Sequence, residues 1–99
     1  MKLQIQSIHF DADQKLIDFI QKKMDKLDTF HDKIQDGEVF LKLDANNEKG
    51  NKVVNVKLNI PGNAIVVKDQ KASFEEAVEH IYDVLKNHLA KSKEKTLTY

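Results

Sequence analysis

The chain has 99 residues, enough for one small domain built on one hydrophobic core. Its 16 basic and 16 acidic residues cancel, so net charge points to no class of partner. Every base is a lysine and there is no cysteine, which excludes bidentate arginine forks on phosphate, disulfides, thiolate nucleophiles and cysteine-ligated zinc.

The N-terminus, MKLQIQSIHF, alternates polar and apolar residues and lacks the unbroken apolar run of a secretion signal. No stretch is long enough to cross a bilayer, so the expectation is a soluble, cytoplasmic protein with no membrane contact. Residues 2–9 place Leu3 and Ile5 on one side of a first strand. Asp13 stands at an N-cap position, and Leu16, Ile17, Ile20, Met24 and Leu27 recur at helical spacing, which predicts a helix over 14–28. Phe30 and Ile34 close the core below its end.

A second strand, 37–44, turns Val39, Leu41 and Leu43 to one face. Residues 45–51 carry turn chemistry, and 52–60 alternate again through Val54, Val56, Leu58 and Ile60. Pro61-Gly62-Asn63 is a turn before a short last strand over 64–68. Ser73 and Glu76 form a capping-box pattern. Phe74, Val78, Ile81, Leu85 and Leu89 then make one stripe of a second helix over 74–93. The order β-α-β-β-β-α predicts an α+β fold. Strands one and two pair in parallel through a right-handed crossover, and strands two to four form a meander. Two amphipathic helices cover one face of this four-stranded mixed sheet.

Catalytic constellations are sparse. Gly37, Gly50 and Gly62 lie too far apart for a phosphate loop, and Ser7, Ser73 and Ser92 have no nucleophile elbow around them. Glu76, His80 and His88 share one edge of helix two, a thin set for a metal; a solvated helix face explains them better. No enzyme, cofactor, metal or small-molecule substrate is expected.

The lysines are the remaining candidates. Lys86 and Lys93 fall on one line of helix two, Lys91 and Lys95 on another. Lys23 projects within the apolar arc of helix one, between Ile20 and Leu27, and must snorkel past the core edge. Side-by-side helices would join Lys23 and Lys26 to the lysines of helix two, with Lys68 and Lys71 extending the patch from the last strand and its loop. Two readings stand at this point. A basic helix end complements the macrodipole and aids solubility, with Asp25 and Asp28 diluting any field, and composition alone favours that reading. The other is a phosphate-binding surface, which without interleaved aromatics would contact RNA through backbone and shape.

Several runs resemble the ribosome hibernation-promoting factors, also called ribosome-associated inhibitor A or sigma-factor modulation proteins. They are LIDFIQKKMDKLDTFHDKI (16–34), EVFLKL, VNVKLNIPG and SFEEAVEHIYDVLKNHLAKSKEK (73–95). The pattern K-x-x-K-L-x-x-F/Y-x-D-x-I is met by Lys23, Lys26, Leu27, Phe30 or His31, Asp32 or Lys33, and Ile34. The closing L-x-K-x-K-x-K pattern is met by Leu89, Lys91, Lys93 and Lys95. Their order and spacing carry the resemblance over essentially the whole chain.

The resemblance implies a fold similar to double-stranded RNA-binding domains. It also implies a non-enzymatic role: occupying the messenger and transfer RNA channel of the small ribosomal subunit and silencing translation in starved or stationary cells. By position it implies contacts to ribosomal RNA from Lys23, Lys26, Lys91, Lys93 and Lys95, to which helical geometry adds Lys86. The chain departs from the family pattern at Val84 and Asn87, where bases are common, and at the acidic opening of helix two. Those departures imply either weaker binding or reliance on Lys68, Lys71 or the loop lysines Lys49 and Lys52. The length resembles that of short members: one ribosome-binding domain over 1–99 without a dimerisation domain, which would need a separate factor to pair ribosomes or would only block single ones. The older family name keeps a second class open, a protein-binding regulator acting through Glu75, Glu76, Glu79 and Asp83 without touching RNA.

Overall fold

A computed structural model describes residues 1–44 and 50–97, with side chains up to residue 91. The elements are β1 (Lys2–Ser7), α1 (Gln14–Asp25), the 3-10 turn η1 (Lys26–Thr29), β2 (Asp36–Leu43), β3 (Lys52–Ile60), β4 (Asn63–Lys71) and α2 (Phe74–Leu97). The sheet order is β1-β2-β3-β4. β1 and β2 are parallel, and β2, β3 and β4 are antiparallel neighbours, as the order of periodicities predicts.

Local chemistry fixes each boundary. The Asp13 carboxylate accepts from the Leu16 backbone N–H at 2.8 Å and caps α1. The Ser73 hydroxyl accepts from the Glu76 N–H at 3.2 Å and starts α2. The β3–β4 hairpin turns through Pro61 and Gly62, where Gly62 takes φ +76, a conformation that costs glycine little. Among the described residues, His9 is the non-glycine exception, at φ +65 in the turn after β1.

One core lies between the sheet and the helices. Ile20, Met24 and Leu27 from α1 and η1 meet Val39, Leu41, Val54, Val56 and Leu58 from the sheet. From α2, the stripe Phe74, Val78, Ile81, Leu85 and Leu89 is buried along its length. Each such side chain contributes about 1.5–3 kcal/mol on leaving water.

Four expectations need correction. α1 tightens into a 3-10 turn after Asp25, so the α-helix is shorter than 14–28. β4 runs to Lys71 because it pairs with the whole of β3, which an alternation count over 64–68 does not reveal. Leu43 is exposed, since β2 ends there and neither helix covers that corner. Ile17 sits at the edge of the apolar arc and is half-buried, while Phe19 packs against the core instead.

Candidate nucleic-acid interface

α1 and α2 lie side by side on the covered face of the sheet, and η1 also touches α2. Lys23 therefore reaches across the helix pair. Its stem is largely covered, with 22% of the side chain exposed, and its ammonium lies 5.1 Å from the centroid of the Tyr82 ring on α2. Lys86, one turn after Tyr82, places its ammonium 6.0 Å from the same ring. Tyr82 is thus a shared aromatic floor under two cations from two helices, a geometry that holds ammonium groups in place while leaving their outer sides to solvent.

The field at this point is positive but moderated. Glu79, one turn before Tyr82, brings a carboxylate oxygen to 3.6 Å from the Lys23 ammonium. Asp28 and Asp25, which the sequence sets beside Lys26, turn instead to the Met1 amine, at 2.6 Å and 3.8 Å. Their charges are partly met there, and the hydrogen bond that the amine donates to Asp28 raises its affinity for its proton.

Lys26 on η1 and Lys91 on α2 are exposed, and neither makes an ion pair among the described residues. The backbone of α2 continues past Lys93 and Lys95, but the side chains of both lie outside the described residues, as does Lys49 altogether. The structure thus brings Lys23 and Lys86 together; Lys26 is exposed on η1, and Lys91, about 140° around α2 from Lys86, is exposed on a different side of that helix.

The outlying candidates separate. Lys71 belongs to β4 itself rather than to a loop, and its ammonium lies 3.8 Å from Asp69, whose other oxygen is 2.8 Å from His80 Nδ1 on α2. Lys68 pairs in register with Asn55 and points to the opposite face of the sheet, away from both helices. It does not extend the helix patch. Lys52 opens β3 and lies over the Phe74 ring, which itself stacks on Phe10.

Tyr82 and Glu79 have no place in the lysine pattern read from the sequence. The i, i+4 spacing of Tyr82 and Lys86 was a usable signal; the contacts to Lys23 depend on how the helices pack. No group of three metal-ligating side chains occurs among the described residues. No helix of the described residues is long and apolar enough to cross a membrane.

Comparison with known proteins places these features in a family. Residues 3–97 match the family described as sigma 54 modulation protein / S30EA ribosomal protein. The ribosome hibernation promotion factor of Deinococcus radiodurans is 30% identical over 92 residues, which are 91% of this chain. The chain spans about half of that relative, 48% of its length. The ribosome hibernation promoting factor of Pseudomonas putida is 28% identical over 95 residues, covering 96% of this chain and 89% of the relative.

Among solved structures, the N-terminal domain of Thermus thermophilus Protein Y matches with a TM-score of 0.80 at 18% identity, over 92% of this chain and 98% of that one. A ribosomal subunit interface protein from Coxiella burnetii matches with a TM-score of 0.82 at 20% identity, over 95% and 99%. These two likenesses establish the shared fold. Taken with the match over residues 3–97, the chain belongs to the sigma 54 modulation protein / S30EA ribosomal protein family, a family of ribosome-binding proteins and not of enzymes.

Proposed function

We propose that this chain is a ribosome hibernation factor, acting in the cytoplasm, that seats its two-helix layer on ribosomal RNA of the small subunit. There it occupies the channel for messenger and transfer RNA and blocks translation by steric occlusion. The observation that carries this reading is the pairing of Lys23 and Lys86 over Tyr82, with Lys26 on η1 and Lys91 on α2 also exposed to solvent. Lysines supply affinity by releasing counterions from phosphates, without reading base sequence. A rigid two-layer domain supplies the shape.

The names of the Deinococcus and Pseudomonas relatives support the hibernation role. The alternative, a protein contact through the acidic opening of α2, is weakened because Glu79 is engaged by Lys23. The test is an in vitro translation assay on purified ribosomes with increasing messenger. Inhibition that excess messenger relieves supports channel occupancy. Inhibition indifferent to messenger, or none, contradicts it.

A further inference from the structure

The sheet face turned away from both helices carries a second arrangement that the helix lysines do not use. Strand register sorts its side chains into cross-strand rows. The two rows nearest the start of β1 are internally balanced: Asp36 accepts from Asn59, and Glu38 stands opposite Lys57. The next two rows differ. One runs Gln6, Phe40, Asn55, Lys68 across all four strands. The other runs Lys42, Val53, Gln70. Together they hold two lysines and no acid.

Phe40 sits between Val39 and Leu41, which point into the core, and is itself half-buried on the open face outside that core. A depression of about 350 Å³ opens beside it, lined by Lys42, Val53, Asn55 and Lys68. A smaller one, about 70 Å³, is lined by Phe40 with Gln4, Gln6 and Glu38. Asp44 stands at the rim of the larger depression and is engaged by the Gln70 amide at 3.2 Å. Lys42 and Lys68 make no ion pair among the described residues.

A half-buried ring on an open sheet face, amides on either side of it and cations nearby are the parts from which single-stranded nucleic acid is held. The ring offers a stacking surface to any base. Gln6 and Asn55 offer a donor and an acceptor each to base edges. Three strand spacings make the row about 14 Å wide, room for a few nucleotides rather than a duplex. A protein partner fits less well, because interface centres are depleted in lysine. We propose that this face is a second binding site, for a short single-stranded RNA segment, with a base stacked on Phe40 and phosphates at Lys42 and Lys68. The site is independent of the helix lysines and does not rest on the proposed ribosomal role.

The test is titration of the isotopically labelled full chain with single-stranded hexauridylate, followed by amide chemical shifts, with affinities from anisotropy of the labelled oligomer. The shifts are expected to concentrate at Phe40, Asn55 and Lys68. Phe40→Ala is expected to weaken binding by about tenfold, the loss of one stacked base. Lys68→Gln, on an exposed edge strand that keeps its fold, is expected to lower the salt slope by about 0.7, one phosphate on a single strand. Melting curves separate loss of the site from loss of the fold in Phe40→Ala. Shifts confined to α1 and α2, affinity unchanged in both variants, or no binding of the oligomer would overturn the proposal, the last returning the face to a protein partner. None of these outcomes bears on subunit binding by the helices, which Lys86 and Lys91 report separately.

Discussion

The ammonium of Lys23 on α1 stands 5.1 Å from the ring of Tyr82 on α2, so a base rooted in the apolar arc of one helix is displayed by an aromatic on the other. The same ammonium has Glu79 at 3.6 Å, a carboxylate where a phosphate oxygen would otherwise sit. Any RNA that takes Lys23 must displace this ion pair. Glu79→Gln should therefore tighten binding to small ribosomal subunits by up to about fivefold at low salt, the range of an exposed pair, with melting nearly unchanged. Equal or weaker binding in subunit co-sedimentation would remove Glu79 from the account.

Burial separates two leucines that the strand and helix periodicities treat alike. Leu85 is fully buried under α2, whereas Leu43 is 42% exposed. Leu85→Ala should cost about 2–5 kcal/mol, and Leu43→Ala about 0.5 or less. For a chain of this size the first corresponds to a fall in Tm of roughly 10 °C or more. Thermal unfolding followed by circular dichroism distinguishes them directly.

The start of α2 depends on the Ser73 hydroxyl, which accepts from the Glu76 N–H. Ser73→Ala leaves that donor to water and should cost about 1 kcal/mol. Because the lysine-bearing end lies several turns away, subunit affinity should hold at temperatures well below Tm. A loss of affinity matching the loss of stability would mean that the fold and the patch are less separable than the geometry implies.

The Met1 amine supplies a pH dependence. Its hydrogen bond to Asp28 raises its pKa above the ordinary 8.0, with charge–charge attraction to Asp28 and Asp25 adding to this against partial desolvation. The folded chain thus holds this proton more tightly than the unfolded chain. The stabilisation is complete below pH 8 and is lost as pH rises through the folded value. Asp28→Asn removes the largest cause, so the gap in Tm between wild type and variant should be widest near neutrality and close as pH rises. A gap that is constant with pH would show that Asp28 acts without the amine.

Most of the architecture was legible because the chain alternates cleanly. Val54, Val56, Leu58 and Ile60 announce a one-faced strand, and Phe74, Val78, Ile81, Leu85 and Leu89 a one-faced helix; each set is buried as its period requires. What the sequence concealed depends on pairing or on edges. β4 gains its last residues from the length of β3, and Leu43 loses its cover because the helices stop short of that corner.

The candidate site divides along the same line. Lys86 and Lys91 could be placed on α2 by counting residues, and Lys23 by its intrusion into an apolar arc. That Tyr82 gathers Lys23 and Lys86, that Glu79 restrains Lys23, and that Lys68 faces the other way are all consequences of packing between elements distant in sequence.

The most direct test of the central claim is co-sedimentation of the purified chain with small ribosomal subunits across a salt series, comparing wild type with the Lys86→Glu, Lys91→Glu double variant. If about five phosphates are engaged, log affinity should fall with log salt at a slope of about −3.5 to −4.5. The double variant should bind far more weakly and with a shallower slope, while its Tm stays near that of wild type. Salt-insensitive binding, or a double variant that binds as well as wild type, would contradict the assignment of the helix lysines to ribosomal RNA.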